Sequence, residues 1–367
     1  MHTKTWTLLD SSRGIHESAF ELLPADVAAV GDWKITQRTL HGGLSDGVDL
    51  VEIDNGRMRI FVLPTRGMGV WKASIGEETL GWRSPVRGPV HPMHVPLTEA
   101  SGLGWLEGFD ELIVRCGLES NGAPEFDDEG RLKYPLHGRI ANRPAHHVEV
   151  TVDEKVGTIE LRGIVEETRF HFQKLRLTAT LTTHLNSTSF TISDEVENFG
   201  GTPAQMQMLY HINIGEPMLE PGSQILANVE SIETLSGEAP PDGWDTCGPA
   251  AVGSPEECYL MKLGADNEGD ARVLLKNPAG TAGTALRYLT GELPCFTLWK
   301  NMVAREDGYV VGIEPGTNYP KPRSTEQAAG RVVNLAPGEK WNAEVGIDWL
   351  TTSDEVATAE QAIHQRG

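Results

Sequence analysis

The amino-acid sequence predicts an all-β protein: a large antiparallel β-sandwich or barrel with long loops and a short C-terminal helix. Residues 147–198 read as nearly continuous strand, in short runs that alternate apolar and polar residues at period two, with polar turns between them. No helical period separates these runs, so the βαβ alternation of a parallel sheet is excluded. Asp54-Asn55-Gly56 stands between two alternating runs, and Asn-Gly in that setting favours a tight hairpin.

Taken in order, residues 1–30 carry little pattern and are expected to be an N-terminal extension. The β texture starts with residues 33–40 and breaks at His41-Gly42-Gly43. Residues 48–53 and 57–63 form the arms of the Asn-Gly hairpin, which runs into Pro64-Thr65-Arg66-Gly67-Met68-Gly69. Proline and glycines fix this turn and present Arg66. Residues 81–135 are mostly irregular and hold Trp82, Trp105, Phe109 and Phe126. A long insertion in a compact domain is usually a functional loop, and residues 102–110 look like an aromatic wall. Asp127-Asp128-Glu129 does not fit an EF-hand ligand pattern and reads as a solvated turn.

Tyr134-Pro135-Leu136-His137-Gly138 places a histidine in a constrained turn, with Arg139 and Arg143 close behind. His171 and His184 sit in ordinary strands and take a structural reading. The organising stretch is residues 206–213, a strand whose alternation puts Gln207, His211 and Asn213 on one face. Residues 217–255, rich in Gly, Pro and acids, are expected to be a loop; residues 271–276, 284–289 and 295–302 are expected strands, the last carrying Trp299-Lys300-Asn301. In Gly312-Ile313-Glu314-Pro315-Gly316 a carboxylate is expected to end an apolar strand. A carboxylate in such a run is rarely buried unless it is paired or functional. Residues 341–350 form the last strand, and Ser353 caps a terminal helix. The main domain is therefore expected at residues 31–350, with 351–367 a helical tail.

Composition narrows the partners. A net charge of -21 disfavours nucleic acid and anionic lipid, since both call for clustered Lys and Arg. The four cysteines lack metal-ligand spacing and read as reduced thiols. The N-terminus has no apolar signal core and no run reaches membrane-spanning length, so a cytoplasmic protein is expected. Neither a P-loop nor a dinucleotide fingerprint is present, and no cofactor or metal set is expected, although His137, His211 and Glu314 could converge as ligands. Oligomeric state stays open.

Pro135-Leu136-His137-Gly138, the strand histidine His211 and the late Gly-Ile-Glu-Pro-Gly around Glu314, in a long all-β chain, resemble the galactose mutarotase (aldose 1-epimerase)-like superfamily, and within it the DUF4432 group, over about residues 30–350. The resemblance implies the supersandwich fold of that superfamily and a small-molecule carbohydrate as partner. It implies sugar contacts at Arg66 and His137, a general acid at His211 and a general base at Glu314, on opposite sides of the sugar ring. Arg143, Asn213, Asn318, Lys300 and Asp110 are then candidates for holding hydroxyls or a carboxylate. Two other readings stand beside anomer interconversion: an enediol isomerase of a keto-sugar or sugar acid, favoured by Arg66, Arg139 and Arg143, and a non-catalytic carbohydrate-binding protein.

Overall fold

The computed structural model describes residues 3–27 and 31–364. Among them the chain forms two antiparallel sheets, one of ten strands and one of thirteen, with a separate two-stranded ribbon. Strands Thr158–Thr168, Lys174–His184 and Ser189–Asn198 of the smaller sheet bury every second residue. Their inward residues, among them Leu161, Leu177 and Ile192, meet Met206, Met208, Tyr210 and Ile212 of the larger sheet in one apolar core. This is the sandwich, one of the two forms the period-two pattern predicts, because alternating strands can bury only one face each.

The larger sheet is different. Its strand Ala204–Ile214 hydrogen-bonds with Ile113–Leu118 on one side and Val310–Gly316 on the other, and these strands are buried on both faces. The second face is covered by residues 81–143, which supply Trp105, Phe109 and Ala141 to a separate apolar cluster with Val114, Cys116 and Leu209. Ile113–Leu118 lies inside the stretch expected to be irregular. A strand buried on both sides has no alternation to read, which is why its pattern was silent. Gln224–Ala227 and Val229–Thr234 likewise fall within the expected 217–255 loop.

The expected N-terminal extension is corrected. Thr3–Asp10 pairs with His147–Asp153 at the edge of the smaller sheet, and Ala19–Leu22 pairs with Lys34–Thr39 in the larger one. At the hairpin turn, Asn55 is buried: its Oδ1 accepts from the Arg57 and Met58 N–H groups, and its Nδ2 donates to Thr183 Oγ1 and the Ser187 carbonyl. The turn residue thus ties the two sheets together. The terminal helix Ser353–His364 packs Val356 and Ile363 on Leu274. Its cap is Thr352 rather than Ser353: Thr352 Oγ1 accepts from Glu355 N–H while Glu355 Oε2 accepts from Thr352 N–H, a reciprocal capping box. No helix of the described residues is long and apolar enough to cross a membrane.

One ion pair bridges the sheets through the core. Arg115 of the larger sheet donates twice to Asp194 of the smaller, at 2.5 and 2.8 Å, and Tyr210 Oη donates to the same carboxylate at 3.0 Å. Removing one partner strands a buried charge. Asp194→Ala is therefore expected to lower unfolding free energy by about 3–5 kcal/mol, measured by urea titration.

Candidate active site

His211 and Glu314 come together on the outer face of the larger sheet, beneath the covering loops. His211 is 5% exposed and Glu314 2%. His211 Nε2 lies 3.2 Å from Glu314 Oε1. Glu314 does not end its strand as expected; Val310–Gly316 continues through Pro315, and the carboxylate is fully enclosed. Gly312, two residues earlier on the same face, makes room for it: a Cβ there would sit 2.3 Å from Glu314 Oε1.

The histidine is held from its other nitrogen. Nδ1 lies 2.6 Å from Asn213 Oδ1, while Asn213 Nδ2 donates to the Glu111 carbonyl. The amide's donors are turned away, so its oxygen faces Nδ1, and Nδ1 carries the proton. Asn213 is thus a positioning residue that leaves Nε2 to deal with Glu314. Aromatic rings enclose the imidazole: Phe109 at 5.1 Å, Trp299 at 5.4 Å and His137 at 5.3 Å between centroids.

His137 sits in a tight turn with φ 56°, followed by Gly138 at φ 74°. A Cβ on Gly138 would lie 2.0 Å from the Ser120 carbonyl oxygen, so the Leu-His-Gly segment needs its glycine for space as well as conformation. Nδ1 of His137 meets the Asn121 carbonyl at 3.0 Å and so donates, which leaves Nε2 as the acceptor. Burial lowers its pKa to about 4 and keeps the ring neutral.

Burial, with Glu256 adding to it, pushes the Glu314 carboxyl well above the usual carboxylate range. Burial and neighbouring His137 push His211 well below the usual imidazole range, against the opposing bond to Asn213. Burial therefore favours a protonated carboxyl and a neutral imidazole, and Glu314 Oε1 lies close to Nε2 without a hydrogen bond in this structure. Three more buried groups of this face lack hydrogen-bond partners: Trp105 Nε1, Thr297 Oγ1 and Gln207 Nε2. Thr297 stands directly across from Glu314 in the strand register.

Several sequence candidates have other employment. Arg66 is corrected from a sugar contact to an internal brace: Nε donates to Glu111 at 2.5 Å, and its remaining bonds go to Asn142 and the Val90 and Gly108 carbonyls. Asn318 forms a buried amide pair with Asn121, at 2.7 and 2.9 Å, and also accepts from Thr317. Lys300 alternates with Trp299 and so faces the other way, donating to Glu257 and the Trp244 carbonyl. Asp110 accepts from Trp71 Nε1 and lies against Gly88, while its neighbour Phe109 takes the place beside His211. Burial and the adjacent Glu111 hold the Asp110 carboxyl far above the usual range. Arg143 is half-buried, and among the described residues its guanidinium has no ion-pair or hydrogen-bond partner. No three His, Cys, Asp or Glu side chains of the described residues group as metal ligands. Thr297, Glu111 and Glu256 were not foreseen; strand register reveals Thr297, and side-chain contacts with Arg66 and Trp299 reveal Glu111 and Glu256.

A family model described as Domain of unknown function (DUF4432) matches residues 45–348. Among solved structures, one from Klebsiella pneumoniae subsp. pneumoniae MGH 78578, provisionally named an aldose 1-epimerase, is 34% identical with a TM-score of 0.95, covering 99% of this chain and 96% of that one. A galactose mutarotase-like protein from Clostridium acetobutylicum matches at 13% identity and TM-score 0.59, over 87% of this chain and 98% of its own. A protein from Escherichia coli K12, also provisionally named an aldose 1-epimerase, matches at 15% identity and TM-score 0.53, over 83% and 99%. These two share the sandwich fold. No curated protein matches the chain.

Two outcomes follow from the site. His137 is neutral when folded, yet protonates below an ordinary pKa of about 6.5 when unfolded. The folded state should therefore lose stability as pH falls from there toward about 4, with a shallower loss in His137→Gln, read from Tm against pH. Arg66→Met leaves Glu111 buried and unpaired, and is expected to cost about 3–5 kcal/mol in urea unfolding.

Proposed function

The chain belongs to the DUF4432 family, and on that premise we propose that it is a carbohydrate isomerase that interconverts the anomers of a reducing sugar by opening and reclosing the ring. The observation that carries this reading is the 3.2 Å contact between Glu314 Oε1 and His211 Nε2 inside an aromatic enclosure. Ring opening requires a proton to leave the anomeric hydroxyl and another to reach the ring oxygen. Both oxygens are bonded to the same carbon, so an acid and a base side by side can serve both. The expected arrangement on opposite sides of the ring is replaced by this adjacent one, because two groups in contact cannot straddle a sugar.

One proton on the pair fits the reaction in both directions. With the proton on His211, Glu314 takes the hydroxyl proton while Nε2–H supplies the ring oxygen; the C1–O bond breaks and a carbonyl forms. With the proton on Glu314, the side favoured by burial, the roles exchange. Opening through one arrangement leaves the other, and reclosure on the opposite carbonyl face restores the first. Each proton transfer of this kind contributes on the order of 10²–10⁴-fold. The rings of Trp105, Phe109 and Trp299 exclude water, and neutral His137 offers an Nε2 acceptor to a sugar hydroxyl.

The test is exchange NMR between anomers for a panel of reducing sugars in D₂O. Glu314→Gln and His211→Asn are each expected to slow exchange at least about 10²-fold, with no deuterium appearing at carbon. Full activity in Glu314→Gln would overturn the assignment. Deuterium at carbon would move the protein to an enediol isomerase.

A further inference from the structure

A cleft of about 630 Å³ lies over strand Glu256–Leu263, two strands across the sheet from Glu314, and is lined in part by Leu235, Pro241, Glu256, Glu257 and Cys258. Trp299, on the intervening strand, stands between the cleft and the pair. Its ring lies 5.4 Å from His211, its backbone pairs with Cys258, and its Nε1 donates to Glu256 Oε2 at 3.0 Å. The field of Glu256 reaches Glu314, where it raises the carboxyl pKa. The cleft and the proton-transfer pair are therefore one electrostatic environment.

The charges in that environment lean negative, because Lys321, whose field reaches Cys258, is itself paired with Glu233 at 3.5 Å. Glu257 is matched by Lys300 at 2.9 Å, and Arg66 by Glu111 at 2.5 Å. Of the cations the sequence offered for an acidic substrate, Arg66 and Lys300 are thus already neutralised within the protein, whereas Arg139 and Arg143 make no ion pair among the described residues and lie outside the cleft lining. Glu256 accepts from an indole N–H, and no cation pairs with it among the described residues. On the strand of Trp299, Thr297 Oγ1 is fully buried without a partner, across from Glu314 on one side and Leu260 on the other. A buried hydroxyl left unpaired carries a desolvation cost that a ligand hydroxyl would remove.

We propose that this cleft receives the end of the sugar remote from the anomeric carbon, and that Glu256 makes the site select by charge: ammonium-bearing and neutral sugars are accepted, while phosphorylated and carboxylated ones are rejected. This rests on the anomer-exchange reading for its catalytic readout, though not for its binding readout. A carboxylate at the rim attracts a cationic substituent and repels an anionic one, and exposed charges of this kind weaken with salt.

The experiment compares four glucose derivatives that differ only at carbon 6: amino, hydroxyl, phosphate and carboxylate. Binding is followed by quenching of Trp fluorescence and turnover by anomer exchange, at low and high ionic strength, in wild type and Glu256→Gln. Gln keeps an oxygen for the Trp299 indole and removes only the charge. The expected order of affinity is amino, then hydroxyl, then the two anions, with about tenfold or more between the extremes at low salt. In Glu256→Gln, and in wild type at high salt, that spread should contract severalfold. An order unchanged by Glu256→Gln, tighter binding of the anions, or no binding by any of the four would overturn the proposal. The charge-dependent order in binding without any exchange would uphold the cleft and refute the anomer-exchange reading instead.

Discussion

A single buried guanidinium holds the wall of the site in place. Arg66 bonds to Glu111, Asn142 and the carbonyls of Val90 and Gly108, joining segments that are far apart in the chain. Glu111 then uses its own carbonyl to accept from Asn213 and from Trp82. Asn213 in turn presents its oxygen to His211. The tautomer of the histidine is therefore set at the end of a chain of hydrogen bonds that begins at Arg66. A guanidinium suits this post because its donors are fixed in a plane and it stays charged. Such a buried pair contributes little net stability, but its geometry is specific.

The second constraint is burial on both faces of the larger sheet. One face meets the sandwich core, and the other meets the loops of residues 81–143. Without those loops His211 and Glu314 would lie in water and titrate ordinarily. Beneath them, burial raises the carboxyl and lowers the imidazole, so that both groups favour their uncharged forms. The long irregular insertion is thus the element that converts a histidine and a glutamate on neighbouring strands into a buried, desolvated pair. Its glycines matter where backbones or side chains come close, as at Gly138 against Ser120.

Charge organisation follows the same logic. The chain is strongly acidic overall. Yet Arg66, Arg115 and Lys300 are all buried against carboxylates, serving as internal braces. Around the site Glu256 has no cation partner among the described residues, which is the basis of the proposed selection against anionic ligands.

Much of the fold was legible because its physics is local. Period-two alternation at residues 147–198 reports one buried face per strand, and Asn55-Gly56 reports a tight hairpin. The Leu-His-Gly turn, the strand histidine and the Gly-Ile-Glu-Pro-Gly segment likewise marked where chemistry was to be sought, since a histidine or carboxylate in an apolar run has to be paired or used. What the sequence by itself could not determine is which polar residues meet which. Arg66, Asn318, Lys300 and Asp110 look as available as His137 in one dimension. Only the tertiary structure pairs the first with Glu111, the second with Asn121 and the third with Glu257, and turns the fourth toward Trp71. Strand register decided the rest, placing Thr297 beside Glu314 and Glu256 beside Trp299. Local pattern reports burial and conformation, whereas the partner of a charge is set by contacts between segments distant in the chain, as between Arg66 and Glu111 or His211 and Glu314.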